Sequence, residues 1–242
     1  MIVLCVGMPR AGSGWHYNLV HDLMKTTGCA DARDIRRRYH LESVLTEVNC
    51  NIGVLSPRRL GIVSIPALLG NTFVIKAHSG PTTTSRLLAA PGLLRITYIY
   101  RDPRDAMLSA YNYGQRALSK GRPNAFSHLT DFEQSLSFIT DYVRIWEAWK
   151  REKDVLISRY EDLLTNYEVE SARVANYLGL DETRPEIQKV IDNYRPEKVE
   201  GQQGTHFFKG RIGRFRESYS PEQQETLVAR LGPYLSRMGY GA

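Results

Sequence analysis

The chain opens almost at once on Ile2-Val-Leu-Cys-Val-Gly7, a continuous apolar run that ends in glycine. It shows no polar alternation, so both faces are expected to be buried, as in the strands of parallel sheets. The loop Met8-Pro-Arg-Ala-Gly-Ser13 follows, and Trp15, Leu19, Leu23 and Met24 then recur near one helical face. Strand, glycine-rich loop and helix in that order restrict the chain to α/β layering. The same order aims backbone N–H groups and the positive end of a helix dipole at an anion.

The rest of the chain repeats the alternation. Apolar, β-branched runs at 72–77, 94–100 and 154–159 read as three further strands. Helices are expected from about Pro103 to Leu118, over 131–150, from the end of the fourth strand through Leu178, and from Pro221 to about Leu235. Asp102 is a natural N-cap and Pro103 suits a first helical turn. Gly179 marks a helix end. The expected architecture is one α/β domain over 1–242, a central and mostly parallel sheet flanked by helices. Ligands of such sheets bind at the carboxyl ends of the strands. Three of those ends carry polar chemistry: MPRAGSG, KAHSG and RDPRD. The stretch from about 196 to 219 is the one long irregular segment, which favours a functional loop.

Composition narrows the partners. Of 242 residues, 32 are Lys or Arg and 26 are Asp or Glu, a formal net charge of +6 that suits an anionic ligand without selecting one. No apolar run approaches the roughly 20 residues that cross a bilayer, so no membrane association is expected. Met1 to Met8 lacks the basic start and small-residue cleavage site of a signal peptide. Cys5, Cys29 and Cys50 form no CxxC pair and no ligand spacing. A reduced, cytoplasmic setting without a bound metal follows as the expectation, with Cys5 an inert buried thiol. The basic cluster between Arg33 and Arg38 reads first as a solvated face.

Gly7 and Gly12 have the GxxxxG spacing of a Walker A loop, but Ser13 stands where the lysine belongs and Gly14 where the Mg²⁺-holding hydroxyl belongs. Such a loop is poorly equipped for a Mg²⁺-triphosphate. It can hold a 5′-phosphate through backbone amides, the Ser13 hydroxyl and Arg10. Met8-Pro-Arg10-Ala11-Gly12-Ser13-Gly14-Trp15 resembles the 5′-phosphosulfate loop of the sulfotransferases that use 3′-phosphoadenosine 5′-phosphosulfate (PAPS). Arg10 replaces that family's lysine, keeping the charge but presenting a planar fork. Residues 98–113 resemble the family's 3′-phosphate signature, with Arg101 at a strand end and Ser109 about two helical turns on. A guanidinium and a hydroxyl so placed can close on one phosphate.

The resemblance implies the P-loop-NTPase-like sulfotransferase fold and a set of roles. The amides of Ala11 to Trp15 and the Ser13 hydroxyl would hold the 5′-phosphate. Trp15 would stack on adenine, with Tyr160 of the Arg-Tyr-Glu-Asp-Leu segment and Tyr194 beside it. Phe208-Lys209-Gly210-Arg211 looks like the family's loop over the 3′-phosphate, with Phe208 where an arginine is usual and Arg211 as a substitute charge. Lys76-Ala-His78 resembles the Lys-Thr-His motif, making His78 the general base and Lys76 the neutraliser of the sulfuryl oxygens, while Arg10 stabilises the leaving phosphate. PAPS would be the co-substrate and PAP (3′-phosphoadenosine 5′-phosphate) the product, with no metal. The implied partner is a small-molecule acceptor of the sulfuryl group through a hydroxyl or amine, and a homodimer is compatible with the sequence. Acceptor walls are expected from loops at 28–70, 79–92, 112–130 and 196–208, with Tyr111, Tyr113, Phe126 and His206 as candidates. Two other readings compete: a P-loop kinase, which the missing Walker lysine disfavours, and a nucleic-acid binder, for which no helix-turn-helix or RRM-type aromatic motif is present.

Overall fold

Residues 1–199 and 211–241 are described by a computed structural model. Its sheet has four parallel strands, β1 (Ile2–Gly7), β2 (Phe73–Ala77), β3 (Leu94–Tyr100) and β4 (Val155–Arg159), in the order β2-β1-β3-β4. All four expected strands form, within a residue of their expected ends. From β1 the chain moves outward to β2, then crosses back to β3 and moves out the other way to β4. The carboxyl ends of β1 and β3 therefore flank the point where the winding reverses, which is where open α/β sheets bind ligands.

Each face of β1 is buried in a different core, as its lack of alternation requires. Ile2, Leu4 and Val6 pack with Leu60, Val63, Trp146 and Leu231, while Val3 and Cys5 pack with Trp15, Leu19, Leu23 and Val174. The helices that carry these partners are α1 (Ser13–Lys25), α3 (Pro57–Leu68), α6 (Phe132–Lys150), α8 (Tyr167–Tyr177) and α12 (Pro221–Met238). The helix α5 (Pro103–Ser119) starts directly after β3, capped by Asp102 through its side chain to the Arg104 N–H.

The structure corrects several expectations about the connections. The helix after β4 is broken in two, α7 (Tyr160–Thr165) and α8, because Asn166 leaves the helical region at φ −133° and ψ 49°. Asparagine readily trades helical hydrogen bonds for local ones, and the break lets Tyr167 reach the core. The stretch 28–70 is not a loop: it holds α2 (Ala32–Arg38), capped by Asp31, and α3, capped by Ser56 with Pro57 at its first turn. Likewise 79–92 contains α4 (Thr83–Ala89), closed by a capping box between Thr82 and Ser85. The stretch 180–199 adds α9 (Pro185–Asn193) and α10 (Pro196–Val199), and α11 (Phe215–Ser218) shortens the irregular segment from its far end. Most of these helices span nine residues or fewer, too short for a period to stand out, while the twelve-residue α3 has its apolar run interrupted by Gly61 and Pro66.

Local roles absorb much of the basic cluster on α2. Arg33 donates to the Val48 carbonyl, Arg36 to the Leu45 carbonyl, and Arg37 pairs with Asp34. Cys5, Cys29 and Cys50 are all unbridged and buried. No helix among the described residues is long and apolar enough to cross a membrane.

Candidate active site

Two glycines shape the loop after β1. A Cβ on Gly7 would lie 2.8 Å from Ile99 Cγ2 and 2.9 Å from Ser13 Cβ, so only glycine lets β1, β3 and the start of α1 converge. Gly12 has φ +74°, and a Cβ there would meet the Tyr160 ring at 2.6 Å. Gly12 also caps α1 without a side-chain hydrogen bond, whereas α2 to α6 and α12 begin under Asp, Ser or Thr side chains. The first N–H groups of a helix have no intrahelical partner, so α1 presents them to the crevice. One expected amide is withdrawn: the Ala11 N–H is spent on the Met8 carbonyl at 3.2 Å, closing the turn. Ala11 itself is buried.

Arg10 adopts a left-handed backbone, φ +64°. Its Nε donates to Ser109 Oγ at 3.2 Å, and its guanidinium lies 4.3 Å above the Tyr113 ring. This contact joins the β1 loop to α5 across the switch point. Burial and the neighbouring Arg116 and Arg101 charges push the Arg10 pKa down.

From β2 come Lys76 and His78. Lys76 is 5% exposed, and its pKa falls to about 8, first through burial and then through Arg10. His78 lies just past the strand end, where its Nδ1 sits 2.6 Å from the Gly7 carbonyl oxygen. A carbonyl can only accept, so Nδ1 carries the proton and Nε2 is left as the basic nitrogen. Burial and then the Lys76 charge lower the His78 pKa to about 4, so the ring is neutral near pH 7. Among the described residues, Arg10, Lys76 and His78 have no ion-pair partner. Two cations and a neutral imidazole converge without a carboxylate among the described residues, and an anion entering there offsets the repulsion between Arg10 and Lys76.

The β3 side is built on the opposite plan. Arg101 is 8% exposed, its Nη2 donates to Asp105 Oδ2 at 3.3 Å and to the Arg211 carbonyl at 2.8 Å, and its guanidinium lies 4.6 Å over the Tyr160 ring. Its Nε is buried without a partner among the described residues. A buried guanidinium N–H left unsatisfied is costly, and it is what a site shaped to take an anion should show. Next to it, Arg104 forms a bidentate pair with Asp102, and Glu161 accepts from the Asp102 N–H and the Tyr240 hydroxyl.

The other expected residues divide. Trp15 is fully buried, its ring stacked on Tyr167 at 6.0 Å and 6° and its indole N–H donating to the Tyr194 carbonyl at 2.8 Å. Tyr194 is thus brought to Trp15 through its backbone, while its hydroxyl donates to Asp22. The Arg211 side chain is exposed, and it is the Arg211 carbonyl that meets Arg101. His206, Phe208, Lys209 and Gly210 lie outside the described residues. Tyr113 and Phe126 make an edge contact at 5.8 Å, and Phe126 continues to Phe138. Tyr111 instead lines a cavity of about 420 Å³ with Phe132 and Tyr219. A cavity of about 580 Å³ lies at the amino ends of β3 and β4, remote from every motif residue and at the wrong end of the sheet for its ligand. Sequence reasoning missed Asp105, whose backbone partners, the Gly213 and Phe215 amides, are 108 and 110 residues away in the chain. No group of three or more His, Cys, Asp or Glu among the described residues is placed to hold a metal.

The arrangement is that of an α/β protein with a basic corner and an uncapped helix N-terminus at the carboxyl ends of its strands. Residues 2–227 match the family model for the sulfotransferase domain, so the chain belongs to the sulfotransferase domain family. An amine sulfotransferase of Oryctolagus cuniculus is 22% identical over 101 residues, 40% of this chain and 34% of that protein, so the match spans about a third of that relative. Among solved structures, retinol dehydratase in complex with androsterone and inactive cofactor PAP superposes with a TM-score of 0.62 at 15% identity, over 97% of this chain and 80% of that one. Mouse sulfotransferase SULT7A1 complexed with PAP gives 0.61 at 17% identity, over 97% and 84%. These likenesses establish a shared fold.

Proposed function

We propose that this protein transfers the sulfuryl group of PAPS to a hydroxyl or amine of a small-molecule acceptor, with His78 as general base. The observation that carries the reading is the convergence of Arg10, Lys76 and His78 at one corner without a carboxylate partner among the described residues, with His78 held by the Gly7 carbonyl. Family membership supports it, as does the PAP bound to the two solved structures of the same fold.

In this reading His78 Nε2 takes the acceptor proton while a new S–O or S–N bond forms. The bond between sulfur and the bridging oxygen breaks, and that oxygen leaves with PAP. Sulfuryl transfer parallels phosphoryl transfer, in which positioning and electrostatics do most of the work. Arg10 offsets charge growing on the departing phosphate, and Lys76 offsets charge on the sulfuryl oxygens. Ser13 and the open amides of α1 hold the 5′-phosphate, while Arg101, Ser109, Lys209 and Arg211 serve the 3′-phosphate. Trp15, Tyr160 and Tyr194 border the adenine. Every phosphate contact comes from protein, so none needs a metal. Three free cysteines support a reduced, cytoplasmic setting.

The test is thermal stabilisation. PAP without added Mg²⁺ is expected to raise the melting temperature, by about 2.7 kcal/mol of native-state stability at 100 times its Kd. Stabilisation by ATP with Mg²⁺ and none by PAP would return the chain to the kinase reading. A screen of phenols, alcohols and amines with radiolabelled donor then identifies the acceptor.

A further inference from the structure

Asp105 has no place in the chemistry above, yet its carboxylate is the most fully enclosed ionisable group at the 3′ end of the site, with 0% of its side chain exposed. It sits in the first turn of α5, one helical turn after Arg101. Burying a carboxylate is expensive unless its oxygens are satisfied, and here both oxygens have partners. Oδ2 accepts the Gly213 N–H at 2.7 Å and pairs with Arg101 Nη2 at 3.3 Å, while Oδ1 accepts the Phe215 N–H at 3.1 Å. One side chain therefore joins three things: the strand-end arginine, the start of α5, and the backbone of 211–215. The Arg211 carbonyl closes the ring by accepting from the same Nη2.

We propose that Asp105 is a positioning residue that clamps the 211–215 segment against Arg101 and so fixes the guanidinium for the 3′-phosphate. The inference rests on the PAPS reading of the site. The geometry divides the guanidinium in two: Nη2 is spent on Asp105 and the Arg211 carbonyl, while Nε is buried and, among the described residues, unpartnered. An arginine held at one end and unsatisfied at the other is preorganised, and the ligand need not pay the ordering of that side chain. A carboxylate beside a phosphate site would ordinarily repel its ligand. Two amide N–H groups and the Arg101 charge already engage this one, so it acts as a tether.

The test uses Asp105→Asn, which keeps the shape and one acceptor oxygen but removes the charge. Two quantities are read on the full chain: hydrogen exchange at the Gly213 and Phe215 amides, and the affinity ratio of PAP to adenosine 5′-phosphate, which lacks the 3′-phosphate. We expect at least ten-fold faster exchange at one or both amides and a PAP preference reduced at least ten-fold, with 5′-phosphate affinity nearly unchanged. Wild-type exchange at both amides would overturn the clamp, and so would equal losses for both nucleotides, which mark general damage to the fold. A protein that never binds PAP would defeat the PAPS reading itself. The exchange measurement would still decide whether Asp105 tethers the segment.

Discussion

The two halves of the crevice hold positive charge in opposite ways. On the β3 side nearly every charge is answered within the protein: Arg101 by Asp105, Arg104 by Asp102, and Glu161 by the Asp102 amide and the Tyr240 hydroxyl. On the β1–β2 side, Arg10, Lys76 and His78 share a corner in which burial, first of all, pushes all three pKa values down, helped by Arg116 and Arg101 at Arg10, by Arg10 at Lys76 and by Lys76 at His78. The first half is a frame whose geometry is fixed before a ligand arrives. The second leaves its cations without a carboxylate partner among the described residues, so it is where negative charge developing during a reaction is best stabilised. Loss of a group from the frame should be felt in binding, and loss from the basic corner in turnover.

The largest expected effect breaks the comparison if it fails. His78→Ala should lower turnover about 10²- to 10⁴-fold, the usual contribution of a general base, while PAP affinity stays near wild type. An acidic phenol already deprotonated at high pH should suffer less. Parallel loss of PAP affinity and activity would make His78 part of the frame. Wild-type turnover would move the search for a base to His206 and nearby carboxylates.

A smaller effect is expected on the other side. Arg101→Ala removes a charge-assisted contact of about 1.5–3 kcal/mol, so PAP affinity should drop about 10- to 100-fold. Affinity for adenosine 5′-phosphosulfate, which has no 3′-phosphate, should change little. Ser109→Ala should combine with it non-additively in a double-mutant cycle if both groups touch one phosphate. Strict additivity would assign Ser109 to its observed partner Arg10 alone.

The smallest effect is a displaced titration. His78 becomes a base only above its pKa of about 4, and Lys76 loses its charge above about 8. The value of kcat/KM, which reports the free enzyme, should therefore rise through about pH 4 and fall through about pH 8. Binding of an anionic donor favours both protonated forms, so the limbs of kcat should lie higher. Lys76→Arg should carry the alkaline limb well above pH 8 and leave the acid limb in place. An unmoved alkaline limb would remove Lys76 from the reacting corner.

Much of this molecule was legible before any coordinates. The four strands announced themselves because buried parallel strands are short uninterrupted apolar runs, and the loops that follow them are the only places such a sheet can put chemistry. Gly7, Arg10, His78 and Arg101, at or just past strand ends, were readable as candidates for that reason, while Lys76 inside β2 and the role of each group came from the resemblance to sulfotransferase motifs. The helices α2, α4, α9 and α11 were not, since elements of four to nine residues owe their existence to caps and neighbours more than to periodicity.

The sequence by itself determined the layering, the position of the crevice and the identity of the basic groups around it, because these follow from local pattern and from the order of elements. Only the tertiary structure decided how those groups are spent. That His78 gives its Nδ1 proton to the Gly7 carbonyl, that Trp15 lies flat on Tyr167, and that Asp105 holds the Gly213 and Phe215 amides are all contacts between segments 71 to 152 residues apart in the chain. Pattern reading reaches only as far as a helix face or a strand. Burial, which sets both the cost of each charge and the partner it must find, is a property of the packed chain.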